Sequence, residues 1–289
     1  MKIITLAHPQ DDHAAPVQWA LEQAGYQATC WSGVSWSEPE QASLLLDPQP
    51  CMKLGAHKLE SGDVVWLRQP DQPVHSGVGL EAGKKSATAL YPAFFDALAC
   101  MLESLPVRCI NRFSASSLVR NKAVQLQLAG AAGLKVPATL MSNSPPAVRN
   151  FFDQNPDNAI CKAFASHVWQ QQDSKDVTVT ETFCLSREQL PHDEVLTYAP
   201  AIYQQMVRKQ FDVRVVLMGE RVYSFALRTP GNSLDWRHDA ALRNLDVETI
   251  PTPVPVESGI LRFAQKTGVS WRHGLCGGPK RRVVVPGNQ

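Results

Sequence analysis

Two segments of this 289-residue chain hold residue types suited to metal or phosphate chemistry. The first is Ala7-His8-Pro9-Gln10-Asp11-Asp12-His13, which follows an apolar opening run. A catalytic zinc needs three protein ligands and an open position for water. The other histidines stand at 57, 75, 167, 192, 238 and 273, and no two histidines are three residues apart. The helical ligand pair is missing, so the segment reads as a polar loop at the carboxyl end of a strand, where α/β folds tend to place ligands. The second segment is Gly77-Val78-Gly79-Leu80-Glu81-Ala82-Gly83-Lys84-Lys85. A phosphate loop needs Gly, four residues, then Gly-Lys-Ser/Thr, because backbone amides cradle the phosphates and the hydroxyl holds Mg²⁺. Here Val78 takes the first glycine position and Lys85 the hydroxyl position, so the segment reads as a flexible surface loop.

A third set is spread over residues 109–237 as short segments in a fixed order. They are Cys109-Ile-Asn111-Arg112, Arg120-Asn121-Lys122-Ala-Val-Gln125, Gly133-Leu-Lys135-Val-Pro137-Ala-Thr139 and Ala159-Ile-Cys-Lys162. Next come Ile202-Tyr-Gln204-Gln205-Met206-Val207, Phe211-Asp212-Val213-Arg214-Val215-Val216 and Asp235-Trp236-Arg237. Each is weak alone. A lysine closing an apolar strand is usually an edge charge, and Asp-x-Arg is usually a surface ion pair. Their joint order and spacing carry the information.

Alternating elements must hold these residues in place. Strands are predicted at 2–7, 27–31, 63–67 and 107–110, and helices at 14–23, ended by Gly25, and 91–102. Strand and helix in alternation predict an open α/β sheet over about 1–112. A helix follows at 116–132, ended by Gly133, then a strand at 138–142, a helix at 144–152 with proline in its first turn, and a strand at 159–164. From there the pattern turns antiparallel: 177–185, 202–207, 212–218 and 222–228, the last two forming a hairpin about Gly219-Glu220-Arg221. Pro251-Thr-Pro253-Val-Pro255 reads as a stiff connector.

Composition fits a globular chain. At 44% apolar and 19% charged it excludes disorder, and no run of about 18 apolar residues marks a membrane span. The seven cysteines, at 30, 51, 100, 109, 161, 184 and 276, form no C-x-x-C pair, which predicts reduced thiols in a cytoplasmic protein. Six Lys/Arg and no Asp/Glu follow Glu257, so within a total charge of +1 the first 257 residues carry −5. The bulk of the chain thus offers no basic face to nucleic acid, and the basic end reads as a solvated terminal segment.

The ordered segments over 109–237 resemble the ATP-grasp superfamily, and within it the ribosomal-protein glutamate ligases and the maturases that cyclise ribosomally made peptides such as microviridins. Asp63-Val-Val-Trp66-Leu67-Arg68-Gln69-Pro70 is similar to the maturase group as well. The resemblance covers about residues 60–240. It implies a fold of α/β plus α+β: an N-terminal open α/β (pre-ATP-grasp) domain at 1–112, an ATP-grasp small subdomain at 113–185, and an incomplete C-terminal subdomain at 186–289. It also implies ATP clamped between two α+β subdomains. On that pattern Lys162, assisted by Lys122, directs its ammonium at the α/β-phosphates. Gln205, Met206 and Val207 form the hinge that reads the adenine edge, and Asp212 accepts the ribose hydroxyls. Arg214, Arg228 and Arg237 neutralise the γ-phosphate and the acyl-phosphate being formed, Arg237 also serving as a nucleotide ligand.

One part of the pattern departs. The same families finish on an apolar strand carrying an Asp and a strand carrying Glu-x-Asn, whose oxygens hold Mg²⁺. The stretch 271–289 contains no carboxylate, and the resemblance stops after Gly274-Leu275-Cys276. The chain is therefore expected to be truncated, out of frame or divergent there, to lack the family's Mg²⁺ ligands unless Asp235 or Asp239 replaces them, and to turn over weakly. Two function classes stand. One is an ATP-dependent carboxylate–amine or carboxylate–hydroxyl ligase acting through an acyl-phosphate. The other is a non-catalytic nucleotide-binding or interaction protein. A peptide, a protein tail or an amino acid would each serve as substrate, a homodimer stays open, and neither membrane nor nucleic acid is expected as a partner.

Overall fold

A computed structural model of the chain describes residues 1–8, 11–33, 42–46, 48–68, 82–156, 159–164, 168–170, 177–179, 182–229, 234 and 245–277. The chain forms two compact units, residues 1–121 with 264–271, and residues 122–263 with 272–289.

The first unit contains β1 (Lys2–Leu6), α1 (Ala14–Gln23), β2 (Gln27–Trp31), β3 (Ala42–Leu45), β4 (Cys51–Leu54), β5 (His57–Lys58), β6 (Val64–Leu67), α2 (Ala82–Ser104), β7 (Arg108–Ile110) and α3 (Phe113–Arg120). Four strands make a parallel sheet in the order β2-β1-β6-β7. Parallel strands are buried on both faces, which explains the near-continuous apolar run Ile3-Ile4-Thr5-Leu6. Ile4, Leu6, Trp31 and Val65 are fully buried, and α2 lays Leu98 and Leu102 into the same core at helical spacing, joined by Leu105 just after the helix. The antiparallel meander β3-β4-β5, absent from the sequence reading, adds Met52 and Leu54 to that core. The helix expected over 91–102 starts at Ala82, so Lys84 and Lys85 belong to a helix and not to the surface loop expected over 77–85. Residues 69–81 lie outside the described residues.

Asp63, just before β6, ties down the start of β1. Its carboxylate, 2% exposed, accepts the Lys2 amide at 2.8 Å and the Glu60 amide at 3.0 Å, with the Lys2 ammonium 3.7 Å away. Burial alone would raise this carboxyl, but the two amides and the Lys2 charge outweigh it and hold the pKa below its ordinary value.

The second unit contains α4 (Lys122–Ala131), β8 (Thr139–Ser142), α5 (Pro145–Gln154), β9 (Ala159–Lys162), β10 (Val168–Gln170), β11 (Val177–Val179), β12 (Phe183–Leu185), α6 (Asp193–Thr197), β13 (Ala201–Gln205), β14 (Asp212–Met218), β15 (Arg221–Arg228) and β16 (Asp246–Ile250). The helix α7 (Val254–Thr267) gives its residues up to Phe263 to this unit, and β17 (Trp271–Gly277) follows it. One sheet has the order β12-β9-β13-β8 and a second the order β16-β15-β14-β17. The helix expected over 116–132 is two helices, α3 and α4, because Asn121 between them is extended (φ −68°, ψ 111°). The strand expected over 177–185 is also two, with β11 pairing β10 and β12 pairing β9.

Local chemistry explains the joints. Met218 pairs with Arg221, leaving Gly219-Glu220 as the hairpin turn, and Gly219 takes φ +62°, as tight hairpin turns require. The proline connector expected over 251–255 leads straight into α7: Pro255 lies in the first turn, where its missing N–H costs nothing, and the amides of Val256 and Glu257 both donate to the Pro253 carbonyl. No helix among the described residues is long and apolar enough to cross a membrane.

Candidate functional site

The sheet β12-β9-β13-β8 has two unlike faces. Side chains alternate along a strand, and directly paired residues share a face. Ala159, Cys161, Tyr203 and Leu140 face α5 and pack on Val148, Phe151 and Phe152. Burial pushes the Cys161 thiol up, and burial and then Cys161 push the Tyr203 phenol up, so neither group is an activated nucleophile. The other face carries Lys162 opposite Ile202, Ile160 opposite Gln204, Gln204 opposite Thr139, and Cys184 opposite Ile160. It combines apolar Ile160 and Ile202 with the polar Gln204 and Thr139 and the cation Lys162.

That cation is tied into a line of hydrogen bonds. The Lys162 ammonium donates to Gln204 Oε1 at 2.8 Å, and Gln204 Nε2 donates to Thr139 Oγ1 at 2.8 Å. Thr139 Oγ1 in turn donates to the Pro137 carbonyl at 2.9 Å. Lys122, the first residue of α4, sends its ammonium to the Ala163 carbonyl at 2.7 Å, one residue beyond Lys162. The two lysines, 40 positions apart by number, thus serve the same end of β9.

The expected hinge begins where β13 ends. Gln205 is the last residue of that strand, and its N–H donates to the Ala138 carbonyl at 2.9 Å. An amide that reads a ligand here must therefore come from Met206 or Val207. Met206 Sδ lies 3.5 Å from Cys184 Sγ, which places Met206 beside that face.

On the second sheet, Asp212, Arg214 and Val216 share one face of β14, while Val213, Val215 and Leu217 share the other. Asp212 is 9% exposed, and its Oδ2 accepts the Lys209 ammonium at 2.6 Å, so a further hydroxyl partner falls to its second oxygen. Lys209 also donates to the Leu234 carbonyl at 3.1 Å. Register places Arg228 on the face opposite to Asp212 and Arg214: it alternates with Ala226 and Ser224, which pair with Val213 and Val215. There its guanidinium donates to Glu248 at 2.9 Å and stacks over the Phe211 ring at 4.5 Å. Arg237, Asp235 and Asp239 lie outside the described residues.

The polar loop after β1 has a structural role. Asp11 accepts the amides of His13 and Ala14 at 2.9 Å each, at the start of α1, and two hydrogen bonds from Arg68 Nη2 at 2.9 and 3.3 Å. The Arg68 guanidinium also lies 5.4 Å from the Trp66 ring centroid. Burial works to raise the Asp11 carboxyl, but the Arg68 hydrogen bond and the two amides outweigh it, and the net pKa is lowered. Asn111, from the first of the ordered segments, accepts the Ser270 amide at 2.8 Å, a tie within the first unit.

The residues present suit a nucleotide better than a divalent metal. A face bearing Ile160 and Ile202 beside two anchored lysines matches a flat base followed by phosphates. For Mg²⁺ the fit is poor. The strand β17, next to β14, reads Trp-Arg-His-Gly-Leu-Cys-Gly without a carboxylate, and no group of three or more His, Cys, Asp or Glu among the described residues is placed to hold a metal. Gln204 and Thr139 were not singled out as site residues from the sequence. The only signal available there is that both lie within the ordered segments Gly133–Thr139 and Ile202–Val207.

No family model and no curated protein matches the chain. Solved structures do. The macrocyclase MdnC of Microcystis aeruginosa MRC, bound with precursor peptide MdnA, superposes with a TM-score of 0.78 at 21% identity, over 96% of this chain and 88% of that one. The RiPP-associated ATP-grasp ligase of Chryseobacterium gregarium, in complex with ADP and a leader and core peptide, gives a TM-score of 0.78 at 20% identity, over 96% and 85%. The ATP-grasp ligase PsnB, complexed with a phosphomimetic variant of minimal precursor, Mg and ADP, gives 0.70 at 20%, over 97% and 86%. The chain thus shares the fold of these ATP-grasp ligases over nearly its whole length.

Proposed function

We propose that this chain binds ATP in its second unit and acts as, or descends from, an ATP-dependent carboxylate–amine or carboxylate–hydroxyl ligase with a peptide substrate. The observation that carries this reading is the pair of lysines anchored at the end of β9, beside a sheet face that bears Ile160 and Ile202, in a chain with the ATP-grasp fold. ATP would supply a phosphoryl group to a carboxylate, giving ADP and an acyl-phosphate from which an amine or hydroxyl displaces phosphate. Lys162 and Lys122 would hold the phosphates, the Ile160–Ile202–Met206 strip would take the base, Met206 or Val207 would read its edge, and Asp212 would bind the ribose through its second oxygen. Arg214 is the cation we assign to the γ-phosphate from the face it shares with Asp212, with Arg228 behind it and Arg237 beyond the described residues. The division into a pre-ATP-grasp domain at 1–112, a small subdomain at 113–185 and a C-terminal subdomain at 186–289 belongs to the same proposal. The peptides bound to MdnC, to the Chryseobacterium gregarium ligase and to PsnB support a peptide over a free amino acid as substrate.

The carboxylate-free strand β17 favours a second reading, nucleotide binding without turnover. Thermal unfolding with ATP, with and without Mg²⁺, separates the two. A rise in melting temperature that needs Mg²⁺, with ADP formed when a candidate peptide is added, supports the ligase. A rise indifferent to Mg²⁺, with no ADP, supports binding alone. No rise with any nucleotide overturns both.

A further inference from the structure

Gln204 is an uncharged residue, 6% exposed, in the middle of the sheet that carries Lys162. Its amide is oriented by chemistry at both ends of the hydrogen-bond line. A lysine ammonium can only donate, so Gln204 must present Oε1 to it. The Pro137 carbonyl can only accept, so Thr139 must spend its hydrogen there and receive Gln204 Nε2 with a lone pair. The line therefore runs one way, Lys162 to Gln204 to Thr139 to Pro137, with no member able to reverse. It crosses three neighbouring strands, β9, β13 and β8.

From this we infer that Gln204 is a positioning residue, which orients the Lys162 ammonium without itself placing a negative charge beside it. The inference rests on the ATP reading of Lys162. A carboxylate at the same point would hold the ammonium equally well but would neutralise it and repel phosphate. A neutral acceptor, locked from behind by Thr139, holds the lysine without that penalty. The apolar alternative, a leucine, would remove this acceptor, and more of the cost of fixing a long side chain would then fall on ligand binding. Gln204 thus acts on ATP through Lys162 and is itself expected to touch no phosphate.

The test is isothermal titration of the full chain with ATP, ADP and adenosine, for wild type, Lys162→Ala, Gln204→Glu, Gln204→Leu and Thr139→Val. Gln204→Glu and Gln204→Leu should each weaken ATP and ADP about tenfold, the loss expected for one charge-assisted contact. Adenosine, which has no phosphate, should bind as to wild type. Thr139→Val, which keeps Gln204 but removes its anchor, should give a smaller loss with the same selectivity, and serves if either Gln204 variant fails to fold. Equal losses for adenosine and ATP mean that Gln204 only packs the sheet, and overturn the inference. Unchanged ATP affinity in Gln204→Glu also overturns it. A wild-type chain that binds no ATP removes the underlying site reading as well. Wild-type binding that Lys162→Ala leaves intact removes only the assignment of Lys162 and Gln204.

Discussion

The ammonium of Lys122 sits on the carbonyl oxygen of Ala163 at 2.7 Å, directly after Lys162 in the chain. The first residue of α4 is thereby fastened to the end of β9, at the residue that follows Lys162. Two lysines anchored by the neutral acceptors Ala163 and Gln204 suit an anion of high charge. Lys122→Gln should keep a donor for Ala163 and lose the charge. We expect ATP affinity to fall about threefold to tenfold with little change in urea midpoint, while Lys162→Ala loses about tenfold or more. Unchanged affinity in both variants would remove the phosphate role from this pair.

The two strand arginines should behave differently. Arg214 shares a face with Asp212, whereas Arg228 points to the other face and is engaged by Glu248 and Phe211. Arg214→Ala is expected to lower ATP affinity about tenfold. Arg228→Ala should change it less than threefold and instead cost about 0.5–1 kcal/mol of stability, the ordinary value of an exposed ion pair with a cation–π contact. Nucleotide titration alongside urea unfolding checks both, and a larger affinity loss from Arg228 than from Arg214 would reverse the assignment of faces.

How much was legible in the sequence depends on the range of the interaction. The strand Lys2–Leu6, the helix Ala14–Gln23 and the hairpin about Gly219 follow local rules, namely apolar runs, helical spacing and a turn glycine, and the structure has all three. The helix α7 was hidden because two prolines just before and within its first turn look like a breaker until the helix start is known. The split at Asn121 carries no glycine or proline to announce it. For the site, Lys162 and Lys122 stand out as charges in ordered motifs, but Gln204 does not. Its partners lie 42 and 65 positions away, and only sheet register brings them together. The same register, unreadable without the pairing of β14 with β15, turns Arg228 away from Arg214.

Asp11 and Arg68 form a pair that is mostly withdrawn from water, with side chains 7% and 11% exposed. The Asp11 carboxyl titrates below its ordinary value of 3.8, so the folded chain binds that proton more weakly than the unfolded chain does. Stability from the pair is then fully present above pH 3.8 and is lost as pH falls through the depressed value. Asp11→Asn should cost about 2 kcal/mol at pH 7, in the range for hydrogen bonds to a charged group, with the difference from wild type closing in acid below that ordinary value. Arg68→Met should cost more, about 3 kcal/mol or above, since it leaves a buried carboxylate without its counter-charge. Urea unfolding from pH 7 downward measures both, and a gap for Asp11→Asn that widens in acid would contradict the sign.

Gly133 ends α4 with φ +83°, a backbone region that costs an L-residue about 1–2 kcal/mol. The second reason for glycine lies on α7: Arg262 Nε donates to the Ala132 carbonyl at 2.8 Å, and a Cβ on residue 133 would stand 3.0 Å from Arg262 Nη2. The helix end, the turn and α7 are therefore one joint, closed by an arginine that reaches across 130 positions of chain. Gly133→Ala should destabilise by about 2 kcal/mol, the backbone strain plus displacement of the guanidinium. In the Arg262→Ala background only the strain remains, so the same substitution should cost about 1 kcal/mol there. A double-mutant cycle by urea unfolding reads the difference, and identical costs in the two backgrounds would show that Arg262 does not require the glycine.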